Sequence, residues 1–165
     1  LQLCEKEYKE ESIVNVKLPK QQSEGVYDSG IYVSVYQATN LKGFSVTDKW
    51  KPSDQKETRD GFINVPVLEA TTAGSSFSFS FTGNAAGIAI VSGPDAGIIE
   101  YRVDKGKTKT LNLFTLWSNS LHLPWYLMLS DKLKEGKHVL EVKISSAKGN
   151  SGGNACRIVH FLVNK

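Results

Sequence analysis

The second half of the chain is built from short stretches in which apolar and polar residues alternate. The clearest stretch, residues 75–83, reads SSFSFSFTG and places Phe77, Phe79 and Phe81 on one side of an extended strand and serines on the other. Successive side chains of a strand point to opposite faces, so a period of two residues predicts a strand with one face in the core.

Stretches of similar length, rich in β-branched and aromatic residues, occur along the rest of the chain and are separated by turn residues such as Gly, Asp and Pro. The predicted strands cover residues 12–18, 30–38, 62–70, 86–93, 97–106, 107–117, 123–129, 137–146 and 156–164. Many short strands about 8–12 residues apart, without helical patterns between them, are typical of antiparallel sandwiches and barrels. We predict an all-β protein with an antiparallel β-sandwich of the jelly-roll or galactose-binding-like kind.

Two segments depart from this strand pattern. Residues 1–11 are good helix formers and predict a short helical or irregular lead-in, the linker or tail of a preceding domain, before a β-sandwich domain over residues 12–165. Residues 130–136 read SDKLKEG and predict one helical turn, since the Ser-Asp pair could cap its start and the Gly could end it. The chain begins without an initiator Met, and we expect it to be a piece of a longer or processed protein.

Composition limits the classes of protein to which the chain can belong. Its 165 residues suffice for one domain with a sizeable core, and 40% hydrophobic with 22% charged residues is ordinary for a globular protein. No apolar run approaches the roughly 20 residues that a membrane-spanning helix needs, so no membrane span is expected. The net charge of +3 comes without a dense Lys/Arg stripe, so no nucleic-acid partner is expected. Cys4 and Cys156 either form a disulfide, if the fold brings them together, or remain separate thiols.

The sequence lacks the common signatures of a catalytic site. No G-x-S-x-G elbow is present, and Asp28–Gly30, the nearest approach to a Gly-Asp-Ser block, precedes a strand rather than a helix. None of His122, His138 and His160 has an Asp three residues before it, and no His or Cys pair has metal-ligand spacing. We therefore expect no catalytic residue, no metal and no cofactor in this chain.

A pair of carboxylates is the one catalytic arrangement that the sequence leaves open, because a glycosidase needs two Asp or Glu side chains about 5–10 Å apart that can come from distant strands. The candidates are Asp95, Glu100, Asp104 and Glu141. The simpler interpretation places the two aspartates in tight turns for local hydrogen bonding and the two glutamates at solvent-facing strand positions.

Binding chemistry is better supplied than catalysis. Residues 116–126, LWSNSLHLPWY, bring together Trp117, His122, Trp125 and Tyr126. Aromatic rings stack on the apolar faces of sugars, and nearby polar groups fix their orientation. The candidate ligand-binding residues are Trp117, His122, Trp125, Tyr126, Asp95 and Arg157, with Trp50 as a further aromatic.

Each of these aromatic residues could instead belong to the core, since Trp and Tyr are frequent in both places. Trp117 follows Leu113 and Phe114, which favours core packing. Trp125 and Tyr126 are neighbours on a predicted strand, so one of the two should face inward and the other outward.

The last predicted strand, residues 156–164, is apolar on both faces, and each face carries one polar residue. Strict alternation puts His160 on the face of Cys156, Ile158 and Leu162, and Arg157 on the face of Val159, Phe161 and Val163. A buried polar group needs a partner, so Arg157 and His160 are either hydrogen-bonded core residues or part of an interface.

Four runs of the second half carry a resemblance to a known family. They are GPDAGIIEYRVDKG (93–106), LNLFTLWSNSLHLPWYLML (111–129), LKEGKHVLEVKI (133–144) and NACRIVHFLVN (154–164). Together they resemble the β-sandwich domain joined to SGNH (GDSL-type) esterases and lipases of secreted bacterial polysaccharide-utilising systems. The match covers roughly residues 75–164, and the earlier strands fit as the opening strands of the sandwich.

The resemblance implies an accessory module rather than an enzyme. The family's catalytic Ser, its oxyanion Gly and Asn and its Asp-x-x-His block belong to a separate hydrolase domain, and none of them maps onto this sequence. The implied partners are an adjacent catalytic domain and a carbohydrate, and the implied location is secreted, periplasmic or at the bacterial cell surface.

Three functions remain open on these grounds. The first is a non-catalytic module that binds carbohydrate near the substrate of its partner domain. The alternative is a structural domain that packs on the hydrolase domain and shapes its cleft. The second alternative is a stand-alone glycosidase or esterase that uses the carboxylates named above.

Overall fold

A computed structural model describes residues 27–165, which form two antiparallel sheets packed face to face. The strands within these residues are β1 (Gly30–Ser34), β2 (Ala38–Lys42), β3 (Ser45–Thr47), β4 (Val67–Ala70), β5 (Ser76–Gly83), β6 (Ala85–Ser92), β7 (Ile98–Val103), β8 (Lys109–Asn112), β9 (Leu123–Ser130), β10 (Gly136–Ile144) and β11 (Cys156–Asn164). The predicted all-β antiparallel sandwich is confirmed.

The strands divide into a six-stranded and a five-stranded sheet. The six-stranded sheet has the order β3-β4-β11-β6-β9, and β1 pairs with β11 beside β4, so that β9 lies at one edge. The five-stranded sheet has the order β2-β5-β10-β7-β8. Non-consecutive strands therefore meet at the centre of both sheets, and long-range pairing holds the fold together.

The core fills the space between the two sheets. Phe77, Phe79 and Phe81 are buried on the inner face of β5, as the alternation of residues 75–83 predicts. Phe79 stacks on Phe161 of β11 with ring centroids 3.9 Å apart, which joins the five-stranded sheet to the six-stranded one. Each fully buried Phe side chain stabilises the fold by roughly 2–3 kcal/mol relative to its exposure.

Residues 30–38 form two strands in different sheets, so the single predicted strand is wrong. A 3-10 turn at Val35–Gln37 separates β1 from β2 and carries the chain from the six-stranded to the five-stranded sheet. The Ser34 hydroxyl accepts a hydrogen bond from the Tyr36 amide and starts this turn, while the Val35 side chain enters the core. Val35 is apolar and β-branched in either arrangement, so the pattern cannot reveal the change of sheet.

Two other predicted strands are shorter in the structure. Of residues 62–70 only Val67–Ala70 pair as β4, and of residues 107–117 only Lys109–Asn112 pair as β8. The remaining residues form loops, because strand-like composition does not by itself supply a neighbouring strand.

The helical turn predicted for residues 130–136 is wrong. Ser130 ends β9, Gly136 begins β10, and bends join the two strands. Lys132 has a φ of +63°, in the left-handed region, and a right-handed helical turn requires a negative φ at this position.

The last strand contains a bulge that changes which residues face the core. Ile158 pairs with Ile90 of β6, but His160 pairs with the next residue, Ala89, so that two steps on β11 match one step on β6. Ile158 and Phe161 both point into the core, and His160 lies on the outer face. The strict alternation predicted for this strand holds through Val159 and is wrong from His160 onward, because an extra residue inverts the side-chain order that follows it.

Several predictions concern residues outside the described part. The lead-in over residues 1–11, the strand over residues 12–18 and the Cys4 half of a Cys4–Cys156 disulfide all lie there. Cys156 itself is buried in the core, and burial raises the pKa of its thiol to about 12. Over residues 27–165 no helix has the length and apolar character that crossing a membrane requires.

Candidate functional site

The outer face of the six-stranded sheet is half covered by a loop. Residues 48–66, here called the covering loop, run across the ends of β4, β6 and β11. Trp50 of this loop is buried in a small apolar cluster with one residue from each of those strands: Val67, Val91 and Val159. Val159 follows the inward-facing Ile158 and therefore points to the outer face, where this cluster forms a second, smaller core under the loop.

Arg157 anchors the polar side of this cluster. Its Nε donates to Glu69 Oε1 at 2.6 Å, and its two terminal nitrogens donate to the two Asp95 oxygens at 2.7 Å each. The guanidinium carbon lies 5.5 Å from the centre of the Trp50 ring, a cation–π distance. Arg157 is only 6% exposed. Of the two predicted alternatives, the structure therefore shows the buried, hydrogen-bonded residue.

Asp95 and Arg157 shift each other's pKa. Burial alone would raise the pKa of Asp95, but the hydrogen bonds and the charge of Arg157 outweigh it and hold this pKa below its usual range. The pKa of Arg157 is raised, since the Asp95 and Glu69 carboxylates overcome the opposing effect of burial. Asp95 is therefore an ionised partner of Arg157, and it keeps about half of its side chain exposed.

His122 fixes the covering loop from the opposite side. Its Nε2 lies 3.0 Å from Asp54 Oδ1, and its backbone N–H donates to the Glu57 carbonyl at 2.8 Å. The edge of its ring meets the Trp50 ring at a centroid distance of 5.7 Å. His122 is 1% exposed, so it does not present its side chain to a ligand at the surface, as its inclusion among the candidate ligand-binding residues would require. It joins the loop to the start of β9.

The other imidazole nitrogen of His122 packs against the backbone. Its Nδ1 has no hydrogen-bond partner among the described residues. The hydroxyl of Thr58, a residue whose backbone forms an isolated parallel β-bridge with His122, has none either. A methyl group at position 93 would lie 2.6 Å from His122 Cε1 and closer still to Nδ1. Gly93 is therefore required for the imidazole to reach its place.

Trp117 lies on a projecting turn and not in the core, so the core interpretation is wrong. The 3-10 turn Leu116–Ser118 begins with a capping box in which Thr115 and Ser118 exchange side-chain and backbone hydrogen bonds of 3.1 Å. Ser118 is buried with its Oγ 2.8 Å from Ser92 Oγ, and Leu113 takes the core position. Leu116 and Trp117 are left 81% and 73% exposed.

Trp125 and Tyr126 lie side by side on the edge strand β9. Trp125 pairs with Ile90, whose side chain is in the core, whereas Tyr126 pairs with Ala89 on the outer face. The two rings thus face opposite sides, as predicted. The inward residue is not buried, however: Trp125 is 40% and Tyr126 54% exposed, because an edge strand has a neighbour on one side only.

The uncovered half of the outer face holds a cleft between β1 and β9, here called the first cleft. Its volume is about 320 Å³, and its lining includes Tyr27, Tyr32, Tyr126, Met128, Leu162 and Asn164. On the intervening strand β6 the residues at these levels are Gly87 and Ala89, whose small size leaves the space open. Tyr32 and Tyr126 both line this cleft, and burial, with a smaller contribution from Tyr32, raises the pKa of Tyr126.

A second cleft adjoins the first at Tyr32. It measures about 310 Å³ and lies between β1 and the covering loop, lined by Tyr32, Ser34, Val35, Gly61, Val65, Pro66, Val159 and His160. Tyr32 packs on His160 with ring centroids 5.2 Å apart and stands between the two clefts. Tyr27 and Tyr32 were not among the predicted ligand-binding residues, because nothing in residues 27–32 indicates that β1 pairs with β11.

The outer face of the five-stranded sheet is charged. A groove of about 500 Å³ on this face is lined by Lys42, Glu100, Arg102, Glu141 and Lys143 among others. Arg102 Nε donates to Glu141 Oε2 at 2.6 Å, and this hydrogen bond lowers the pKa of Glu141. Glu100 instead accepts from the Ser145 hydroxyl at 2.7 Å.

Asp104, the fourth carboxylate that the sequence left open for catalysis, pairs with a histidine. The hydrogen bond from His138 lowers the pKa of Asp104, followed by one from the Val139 amide. Asp95, Asp104 and Glu141 thus all have lowered pKa values, whereas the general acid of a glycosidase needs a raised one.

The candidate residues fall into two groups. Asp95, Arg157 and His122 converge around Trp50, where ion pairs and hydrogen bonds hold the covering loop in place. Trp117, Trp125 and Tyr126 are exposed aromatic residues that present apolar surface to solvent. Within residues 27–165 no three His, Cys, Asp or Glu side chains converge as a metal site would require.

Comparison with known proteins finds similar folds among solved structures. No protein-family model and no curated protein matches the sequence. Among solved structures the chain is similar to a two-domain esterase (CEX) active on acetylated mannans, with 13% identity and a TM-score of 0.69 over 93% of this chain and 41% of that one. It is also similar to an exo-β-1,3-galactanase from Phanerochaete chrysosporium, with 12% identity and a TM-score of 0.51 over 81% and 29%. The chain spans well under half of either protein and shares with them its β-sandwich fold.

Proposed function

We propose that this chain is a non-catalytic β-sandwich module that binds carbohydrate as an accessory domain of an SGNH/GDSL-type hydrolase. The observation that carries this proposal is the pair Trp125 and Tyr126, two adjacent aromatic rings exposed on both faces of the edge strand β9. The protein acts outside the bacterial cytoplasm, in the periplasm, at the cell surface or after secretion, where polysaccharides are encountered.

Exposed aromatic rings suit sugars for a physical reason. A pyranose ring has apolar C–H faces and a hydroxyl rim, so it can cover an aromatic face while its hydroxyls stay hydrogen-bonded. Trp and Tyr provide large rigid surfaces with a polar group at one end, which is why they are frequent at interfaces. On β9 both rings project from a paired strand and are therefore held in place before a ligand arrives.

The polar network supports a binding role over a catalytic one. Asp95, Glu141 and Asp104 are engaged with Arg157, Arg102 and His138, and their pKa values are lowered, whereas a proton donor needs a raised one. His122 uses Nε2 on Asp54 and is closed off from solvent. Such a network stabilises loops, and the exposed aromatic residues remain as the surface available to a ligand.

The similar solved structures agree with a place beside a catalytic domain. One is a two-domain esterase active on acetylated mannans, and this chain matches a domain-sized part of it. Another is a galactanase whose structure holds galactose. Both are carbohydrate-active, which supports the proposed ligand class and the hydrolase parent.

Isothermal titration of the chain with manno-, cello- and galacto-oligosaccharides tests the proposal. We expect millimolar or tighter binding of at least one series, and weaker binding by Trp125→Ala and Tyr126→Ala. Tyr36→Ala is the matched control, since Tyr36 is equally exposed but lies on the 3-10 turn before β2. Absence of binding to all three series at millimolar sugar would contradict the proposal.

A structural role is the second candidate, favoured by the exposed pair Leu116 and Trp117. A capping box and the buried Ser118 hold this turn rigidly, so its apolar side chains form a fixed projection. Contact with the catalytic domain would remove them from water. In the parent protein, Trp117→Ala should then lower the melting temperature and leave sugar affinity unchanged. An unaltered melting temperature would count against this role.

A further inference from the structure

The first and second clefts form one continuous surface that contains no charged side chain. Their linings meet at Tyr32, and among the described residues neither lining includes Asp, Glu, Lys or Arg. The side-chain amide of Asn164 in the first cleft is already bonded to Ser29 and Asn84, so the hydrogen-bonding side chains on offer are Tyr27, Tyr32, Tyr126, His160 and Ser34. The surface is thus apolar in its body and hydroxyl-bearing at its rim.

The opposite sheet differs in this respect. Its groove of about 500 Å³ is lined by five charged side chains, and a further cleft of about 640 Å³, between β5 and β10 of this sheet and β1 of the other, includes Lys137 and Lys165. Charged residues make up 22% of the chain. Their absence from the linings of the two clefts is therefore a local feature of this surface. An uncharged ligand can cover such a surface without burying a charged side chain that has no partner.

The geometry of Tyr32 links the two clefts into a pair of sites. Its ring packs on His160, which fixes its orientation, and it lines the first cleft together with Tyr126 and the second together with His160. Each cleft, at about 320 and 310 Å³, is at the lower end of the volumes of small-molecule sites, roughly 300–1,000 Å³. Each cleft can therefore hold a short stretch of a ligand, and Tyr32 lines both clefts.

We propose that the two clefts bind successive parts of an uncharged oligosaccharide, with Tyr32 as the residue that both parts contact. This inference rests on the proposed carbohydrate-binding function and adds the place and the ligand class. Uncharged sugars place their C–H faces on the tyrosine rings and their hydroxyls on the phenols and His160. A uronic acid would bring a carboxylate to a surface that offers it no cation, and desolvation of an unpaired charge is costly.

Titration of the chain with hexasaccharides of matched length tests the inference. The probes are mannohexaose, cellohexaose and a galactan hexasaccharide as uncharged ligands, and hexagalacturonate as the charged one. We expect an uncharged hexasaccharide to bind at least about tenfold more tightly than hexagalacturonate, a difference of ~1.4 kcal/mol. Tyr32→Ala should weaken that binding by a similar factor, and Tyr36→Ala should leave it unchanged.

Tyr32 is largely exposed, so its truncation does not threaten folding, and thermal denaturation of each variant checks this directly. A disaccharide of the series that binds is a further probe, short enough for one cleft. Tyr126→Ala, which removes one wall of the first cleft only, should reduce affinity for the hexasaccharide more than affinity for this disaccharide.

The outcomes separate this inference from the proposed function. Wild-type binding that is lost in Trp125→Ala but unchanged in Tyr32→Ala would overturn the inference and leave carbohydrate binding in place. Equal affinity for hexagalacturonate and an uncharged hexasaccharide would overturn the ligand class. Failure of the wild type to bind any of the four probes would overturn the inference together with the proposed function.

Discussion

The Arg157 guanidinium lies 5.5 Å from the centre of the Trp50 ring and joins the central strand β11 to the covering loop. One face of the cation meets the indole, and its nitrogens hold Asp95 and Glu69. Three segments distant in sequence thus depend on one side chain. The covering loop in turn forms one wall of the second cleft, so its position matters for the proposed site.

Replacement of Arg157 should be strongly destabilising. Arg157→Met leaves the Asp95 and Glu69 carboxylates without their cation, and we expect a loss of about 2–3 kcal/mol in the free energy of unfolding, below the cost for fully buried pairs because both carboxylates are partly exposed. Urea denaturation at neutral pH measures this. Arg102→Met, which breaks the exposed pair with Glu141, is the matched control and should cost less than about 1 kcal/mol. Equal effects of the two variants would disprove the role of Arg157.

Gly93 should not tolerate even a methyl group. The Cβ of Gly93→Ala would overlap the His122 ring, and His122 is confined by Asp54 and Trp50. We expect destabilisation of about 1–3 kcal/mol, the usual cost of overpacking a filled site. Thermal denaturation tests this, with Gly149→Ala for comparison, because a Cβ there meets its nearest neighbour at an ordinary 3.4 Å. A Gly93→Ala protein as stable as the wild type would show that the imidazole can move aside.

The pair His138 and Asp104 should make stability depend on pH near neutrality. The hydrogen bond to Asp104, followed by one to the Lys134 carbonyl, raises the pKa of His138 above its usual value of 6.5. The folded state therefore binds the proton more tightly, and the resulting stabilisation is present below pH 6.5 and lost as pH rises through the folded-state pKa. The free energy of unfolding of the wild type relative to His138→Gln should fall between about pH 6 and pH 9. A difference that stays constant over this range would refute the assignment.

The same pair acts in the opposite direction at acid pH. The pKa of Asp104 is lowered, first by the hydrogen bond to His138, so its contribution is present above its unfolded-state pKa and lost as pH falls through the folded-state value. Asp104→Asn should therefore remove part of the acid sensitivity of the wild type below about pH 4. Denaturation curves collected from pH 2 to pH 5 measure this.

The Leu116–Ser118 turn should depend on the buried hydroxyl of Ser118. Its Oγ accepts from the Thr115 amide and lies 2.8 Å from Ser92 Oγ, so Ser118→Ala leaves a backbone donor unpaired. We expect a loss of about 1–2 kcal/mol and faster hydrogen exchange at the Thr115 amide. Ser120→Ala, two residues beyond the turn on an exposed position, is the control. Unchanged exchange at Thr115 would show that the capping box does not hold the turn.

The sequence pattern predicted the fold where local periodicity and long-range structure agree. Phe77, Phe79 and Phe81 alternate with serines, and each position has the burial that the alternation predicts. The pattern failed at Val35, where the chain changes sheet, and from His160 onward, where a bulge after Ile158 reverses the faces. An apolar β-branched residue suits both arrangements, so only the partner strands decide between them.

The candidate site was less accessible from sequence than the fold. Asp54 meets His122 across 68 positions of sequence, and Arg157 meets Asp95 across 62. No local pattern relates such residues, so sequence alone could not tell a buried ion pair from a surface ligand. The aromatic residues of the stretch 116–126 were recognised, but Tyr27 and Tyr32, which line a cleft with Tyr126, could be placed there only through the pairing of β1 with β11.

The bulge in β11 has a consequence for the comparison of related sequences. Arg157 and His160 are three residues apart, an odd spacing that would put them on opposite faces of a regular strand, and the extra residue brings both to the outer face. An ungapped alignment with a relative that has no bulge would match His160 to an inward position and Phe161 to an outward one. Conservation at the Tyr32–His160 surface would then be scored as conservation of the core. A one-residue gap at Val159 is the correction that such alignments need.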